Sequence, residues 1–267
     1  MKKNLFVVIL LSLLFSQSEH PHPPLNLVSI PTGGTLPRGS YTMEMLLQKE
    51  GGFLPQLAVG ITDHFTIGMS YGLQKLIGDE KPEVSRPKPE VQIKYQVYDE
   101  TLRRPAVLLG LNTQGRGSYR GKVVDNDGIK KILNRYDQKA WGIYLVISKN
   151  YNLLGNLGFH GGLSKNSWEN DYDDDGQTNL FFGLDKEINR SFSFLLEYDA
   201  AYNDDNSSDD IDINELTFGK GKGYLNAGFR WVIAKNLLFE FNFNNISKNT
   251  DAEYTNREIK IMYSEFF

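Results

Sequence analysis

The residues of this chain best suited to chemistry are carboxylates. Asp171, Asp173 and Asp175 stand at alternate positions with Gly176 behind them. In that arrangement the opening half of an EF-hand-type loop converges oxygen ligands on Ca2+ and turns sharply at a glycine. The twelfth position, where such a loop supplies a bidentate glutamate, is Phe182, so a solvated acidic loop accounts for the same residues without an ion. Asp204, Asp205, Asp209, Asp210 and Asp212 form a second acidic cluster that either adds ligands or repels its neighbours. For nucleophilic catalysis the nearest approach is His160 with Ser164 four residues on, lacking an evident third group to orient the imidazole. Gly219-Lys220-Gly221-Lys222-Gly223 lacks the spacing and strand-to-helix setting of a phosphate loop. His20 and His22 sit among prolines with no carboxylate nearby to complete a metal site. The absence of cysteine rules out a thiol nucleophile, a thiolate metal centre and a lipidated N-terminal cysteine. No cofactor is expected apart from Ca2+ in the Asp171 loop.

The elements that carry these residues are strands. Between Tyr224 and Asn245, Leu225, Ala227, Phe229, Trp231 and Ile233 alternate with polar or small neighbours. Ala234-Lys235-Asn236 then turns the chain, and Leu237, Phe239, Phe241 and Phe243 alternate in the same way. Period two on both sides of a short polar turn is a β-hairpin with one apolar face. The same alternation begins at Tyr41 with Met43, Met45 and Leu47. It recurs at Leu57–Ile61, Phe65–Tyr71, Val91–Val97, Val107–Leu111, Trp141–Ile147, Leu153–Leu163, Leu180–Leu184 and Phe192–Tyr198, and ends between Arg257 and Phe267. One interruption has helical spacing: Ile129, Ile132, Leu133 and Tyr136, with Asp127 available as a cap, predict a short helix over 128–136.

About twelve such strands suit a closed antiparallel barrel, an all-β fold in which the apolar face meets lipid and the polar face lines the lumen. The connections sort by length. Those after even-numbered strands are short (Thr62-Asp63-His64, Lys149-Asn150, Asn189-Arg190, Lys235-Asn236), and most after odd-numbered strands are long and charged. Transmembrane β-barrels have short periplasmic turns and longer extracellular loops, whereas a soluble sandwich has no reason to sort its loops. Lys2 and Lys3 before the apolar run Leu5–Phe15, followed by Ser16-Gln17-Ser18, read as a signal peptide over 1–18. That run is too short for the ~20 residues of a membrane helix. Residues 19–38, rich in Pro and Gly, read as an extended, poorly packed periplasmic lead-in, and 39–267 as the barrel. The location predicted is the outer membrane of a Gram-negative-type bacterium. The last strand places Ile259, Ile261, Tyr263 and Phe267 on one face and ends on an aromatic, as expected of a signal for the outer-membrane assembly machinery; Glu265 departs from the pattern.

The inward register carries Glu44, Lys94, Asp185, Glu187, Glu197, Asp199, Arg230, Glu240, Glu258 and Lys260. These either line a water-filled, mildly cation-favouring pore or neutralise one another as a ladder of internal ion pairs. Small inward residues, among them Gly60 and Gly68, leave lumen space or let another segment approach closely. The basic stretch Arg116, Arg120, Lys122, Lys130, Lys131 and Arg135 either folds inward as a plug or pairs with the acidic loops outside. A formal net charge of -4 argues against a nucleic-acid partner.

Two stretches, Ile30-Pro31-Thr32-Gly33-Gly34-Thr35-Leu36-Pro37 and Val59-Gly60-Ile61-Thr62-Asp63-His64-Phe65-Thr66-Ile67-Gly68, resemble poorly characterised bacterial outer-membrane barrels, including the YjbH-like group associated with exopolysaccharide production. The resemblance covers about the first half of the mature chain, marks strands and turns, and carries over no catalytic residue. It implies a barrel accompanying envelope polysaccharide export. The residues predict a narrow passive channel whose partners are membrane lipid and polysaccharide or small solutes. A lipase-like hydrolase and a structural or adhesive barrel are the competing classes.

Overall fold

A computed structural model of the chain describes residues 24–79, 81–84, 86, 88–120, 123–124, 130–131, 134–169, 176–204, 222–249 and 256–267. Twelve long strands form one antiparallel barrel: β1 (Ser40–Gln48), β2 (Gly52–Thr62), β3 (Phe65–Ser70), β4 (Glu90–Tyr98), β5 (Ala106–Asn112), β6 (Gly142–Asn152), β7 (Asn156–Lys165), β8 (Asn179–Asn189), β9 (Phe192–Asp199), β10 (Tyr224–Ala234), β11 (Leu237–Asn244) and β12 (Asn256–Phe266). Each pairs with its neighbours in sequence, and β1 closes the ring on β12 from Ser40↔Phe266 to Leu47↔Ile259. Closure pairs every strand on both sides, which is what backbone in hydrocarbon demands.

The alternation sets the two surfaces. Met43, Ile67, Leu109, Ile143, Phe159, Phe182, Phe229 and Phe241 are exposed on the outside, whereas Thr42, Lys94, Glu197, Asn226 and Glu240 are buried inside. Aromatic pairs bridge strands on the outer face: Phe192 stacks on Trp231 at 5.7 Å, and Phe194 meets Phe229 edge-on at 5.4 Å. An apolar exterior around a polar interior inverts a soluble protein and identifies the surrounding solvent as lipid. The loops sort as expected, with short turns on the periplasmic end, long loops on the extracellular end, and β1 beginning where β12 ends.

Three local expectations are corrected. Lys149-Asn150 lies inside β6, and the turn comes at 153–155, where Leu153 N donates to Gly155 O at 2.9 Å; Glu100 binds Asn150 N and Nδ2 and keeps that stretch in the ladder. The helix predicted over 128–136 is not formed by the described residues there. Lys130–Lys131 pairs with Val123–Val124, and Arg135–Gln138 pairs with Arg116–Arg120, with Tyr119 and Tyr136 edge-to-face at 4.9 Å. Cross-strand packing of the two tyrosines overrides a weak helical period.

The third correction concerns the lead-in. Residues 24–38 are neither extended nor poorly packed: they form a finger inside the barrel, with Leu25, Leu27, Val28, Ile30 and Leu36 at 3% exposure or less. Leu27 N donates to Ile30 O and Thr32 N to Leu25 O, both at 3.0 Å, so the finger is a two-limbed hairpin. Its base is fixed at the periplasmic mouth, where Leu36 N donates to Thr66 Oγ1 (2.8 Å) and Arg38 N to Asp63 Oδ1 (2.9 Å). Its tip reaches Trp141, beside the extracellular end of β6. The signal peptide expected over 1–18 lies outside the described residues.

Candidate functional site

The finger explains an oddity of the inner wall. Leu108, Tyr144, Val146, Phe181 and Leu195 point into the lumen, against the polar habit of that surface, and pack with Leu27, Val28 and Ile30 in one buried cluster. A second cluster joins Leu25 and Leu36 to Ala58. Two wall glycines decide between the readings of the small inward residues. A Cβ on Gly183 would meet Leu27 Cδ1 at 2.7 Å and Ile30 Cδ1 at 2.8 Å, and one on Gly60 would meet Pro37 O at 2.1 Å. They let the finger approach.

Charged wall residues grip the backbone of the finger. Lys94 Nζ donates to Leu25 O, Arg230 to Asn26 O (3.2 Å), Lys260 Nζ to Leu27 O (3.3 Å), Arg116 Nη2 to Val28 O (2.6 Å) and Trp141 Nε1 to Ser29 O (3.1 Å). Five consecutive carbonyls are thereby held by side chains from outside the finger. On the return side, Glu197 accepts Ser29 N at 2.9 Å and Ile30 N at 3.0 Å and is braced by Asn226 Nδ2 at 2.8 Å.

The ten residues assigned to the lumen all lie on the inward register, and four of them are ion-paired there. Glu240, fully buried, sits between Arg230 (2.6 Å) and Lys260 (2.9 Å), and Arg116 pairs with Glu258. Glu44 and Lys94 are buried on β1 and β4, Asp199 accepts Asn179 Nδ2 at 2.6 Å, and Glu187, nearer the mouth, accepts Asn156 N at 2.8 Å. Ion pairs thus join Arg230, Glu240, Lys260 and Glu258, whereas Lys94 and Glu197 bond the backbone of the finger. Beside the finger tip remains a cavity of about 50 Å³, lined by Asn26, Ser29, Gln56, Arg116 and Trp141 among others, room for one or two waters.

His160 bonds Ser148 rather than Ser164. Ser148 Oγ lies 2.7 Å from His160 Nδ1, and His160 Nε2 lies 2.8 Å from Asp185 Oδ1. Spacing along one strand does not reveal Ser148, because it meets His160 across β6 and β7. This Ser-His-Asp line faces the lumen, not lipid as a lipase-like barrel would require. Gly33 N donates to Ser148 Oγ at 2.7 Å and covers it. Through Ser148 the trio anchors the return limb of the finger.

The extracellular mouth is covered by loops. Arg135 forms a buried two-pronged pair with Asp204 (2.7 and 3.0 Å). Glu169 accepts Tyr136 N (2.8 Å), Ala140 N (2.7 Å) and Asn166 Nδ2. Burial outweighs these bonds and pushes the Glu169 carboxyl up to about 7. Tyr136 donates to Glu90 at 3.0 Å, and burial raises its phenol well above its ordinary value. Of the basic stretch, Arg116 turns inward and Arg135 pairs with the start of an acidic loop, while the side chains of Arg120, Lys122, Lys130 and Lys131 lie outside the described residues. Asp171, Asp173 and Asp175 lie outside the described residues, as do Asp205, Asp209, Asp210 and Asp212; among the described residues no group of three or more metal-ligating side chains forms. On β12, Ile259, Ile261 and Tyr263 face outward and Phe267 is 81% exposed; Tyr41 packs with Tyr263 and Phe267 at the rim, and Tyr263 donates to Glu265.

No protein-family model and no curated protein matches the chain. Among solved structures, KdgM porin covers 85% of this chain and 99% of its own length at 9% identity with a TM-score of 0.48. KdgM porin in complex with disordered oligogalacturonate gives 85%, 99%, 10% and 0.49. A NanC porin gives 85%, 99%, 10% and 0.43. Scores of this size carry no argument about a solute. Membrane residence follows from the barrel itself: closed, even-stranded, antiparallel, apolar outside and polar within. The chain is an outer-membrane β-barrel.

Proposed function

We propose that the barrel is a narrow passive channel that this structure describes in its closed state. The observation that carries the reading is the way the lumen is filled. Among the described residues its occupant is a hairpin finger whose return limb reaches the periplasmic mouth, held largely through its backbone by hydrogen bonds from the wall. A twelve-stranded wall is too wide to be filled by its own side chains as an eight-stranded one is, and vacating the finger leaves a passage lined by charged residues and one apolar patch.

In planar bilayers the full chain should show no steady current. The Ile30→Asp variant, which drives a carboxylate into the Leu108–Phe181 cluster beside Glu197, should conduct. Lipid-baseline conductance from a folded Ile30→Asp barrel would favour the competing reading, a structural barrel with the extracellular loops as its working surface, which the filled lumen also supports. A role accompanying envelope polysaccharide export rests on the resemblance of 30–37 and 59–68. In the structure these stretches are the return limb of the finger and the β2–β3 hairpin that grips its base. Unchanged surface polysaccharide in a strain lacking the protein would remove that role.

A further inference from the structure

The side chains that surround the finger tip read a peptide backbone. Lys94, Arg230, Lys260, Arg116 and Trp141 come from β4, β10, β12 and the segments flanking the extracellular mouth, yet together they address carbonyls 25 to 29 without a gap. Glu197 takes the two amides that follow, those of Ser29 and Ile30, with one carboxylate. Such contacts are blind to side-chain identity, so affinity comes from the main chain. Selectivity comes from the apolar patch on the wall, whose slot beside Gly183 accepts Leu27 and Ile30 and no larger backbone-side obstacle.

Neither feature belongs to a bare aqueous pore. A lumen evolved only to pass water and ions has no use for buried Leu108, Val146, Phe181 and Leu195, and their exposure to water after departure of the finger would be unfavourable. The four cations nearby, Lys94, Arg116, Arg230 and Lys260, match in number the four carboxylates Glu44, Glu197, Glu240 and Glu258, so the surface offers little net field to a charged solute. What it matches is a neutral hairpin with closely spaced aliphatic side chains and backbone carbonyls turned toward side-chain donors of the wall.

We propose that the lumen wall is a peptide-binding site, occupied in cis by residues 25–30, that accepts in trans a periplasmic peptide of the same chemistry: apolar side chains at the positions of Leu27, Val28 and Ile30, no charge, and free backbone carbonyls. The site opens toward the periplasm, where the return limb of the finger reaches the mouth at Thr66 and Asp63. The proposal rests on the channel reading only in requiring that the finger can withdraw.

The test uses the full chain. Two variants release the finger: Ile30→Asp, and Gly33→Leu, whose new side chain has no room because a Cβ there already meets Ser148 Cβ at 2.9 Å. Heat-modifiable gel mobility reports which variants retain a folded barrel. The probe is a fluorescein-labelled synthetic peptide of the sequence 24–38, read by fluorescence anisotropy. Saturable binding to a folded variant, with none to the unsubstituted chain and none by a scrambled peptide, is the expected result. Adding Glu197→Gln should weaken binding by about tenfold or more, as loss of charge-assisted hydrogen bonds implies. Absence of binding by every folded variant, or equal binding of the scrambled peptide, overturns the proposal. Conductance is recorded separately: current without peptide binding defeats the site and leaves the channel, and binding without current does the reverse.

Discussion

At the scale of single residues, the account turns on charges that water does not reach. Glu240 has no exposed surface and is the shared partner of Arg230 and Lys260, so Glu240→Ala leaves two buried cations without their counter-charge. Breaking a buried pair in this way costs about 3–5 kcal/mol, and the urea midpoint of the refolded barrel should fall accordingly, while Lys235→Ala in an exposed turn should change it little. Glu169 gives a pH signature to the loop cap. Its folded pKa, about 7, lies above the ordinary 4.5, so its contribution is fully present below about pH 4.5 and is lost as pH rises through about 7. Protection of the Tyr136 and Ala140 amides, corrected for intrinsic exchange, should drop by about tenfold or more across that interval and then level off. Glu169→Gln should flatten the profile; a steep profile in that variant would assign the effect elsewhere.

At the scale of elements, strands were legible because alternation over eight or more residues has one structural meaning, and the turns at Asp63-His64 and Lys235-Asn236 fell where polar residues broke it. The finger was not legible. Proline and glycine in 19–38 point to irregular backbone, but not to where that backbone lies; the clue was the run of Leu25, Leu27, Val28, Ile30 and Leu36, apolar residues that no lead-in in water would keep. The matching clue stood on the wall, where Leu108, Val146, Phe181 and Leu195 break the polar inward register. Neither signal has meaning without the other, and their pairing is a tertiary fact. The same blindness hid Ser148, which meets His160 only across a strand pair. Gly183→Val tests the fit between these elements: filling the slot occupied by Leu27 and Ile30 should speed amide exchange at Ser29, Ile30 and Gly33 by about tenfold or more while the barrel ladder keeps its protection. Unchanged exchange in the finger would show that its seat does not depend on that slot.

At the scale of the whole molecule, a closed ring of twelve strands presents hydrocarbon-compatible side chains outward and keeps its charges inside. The ring was readable from strand count and loop asymmetry, because closure is the one way to hide strand edges in lipid. Whether the inner charges face water or one another was not readable: the same ten residues serve either state, and the finger decides between them. The chain has no cysteine, so an introduced pair reports on its own. Ser29 Oγ and Asn226 Nδ2 lie 3.4 Å apart across the finger and β10. In protein assembled in outer membranes, Ser29→Cys with Asn226→Cys should cross-link on mild oxidation in high yield, and Ser29→Cys with Leu225→Cys, one residue over on the lipid-facing register, should not. Equal yields from the two pairs, or none from the first, would contradict a finger seated in the lumen.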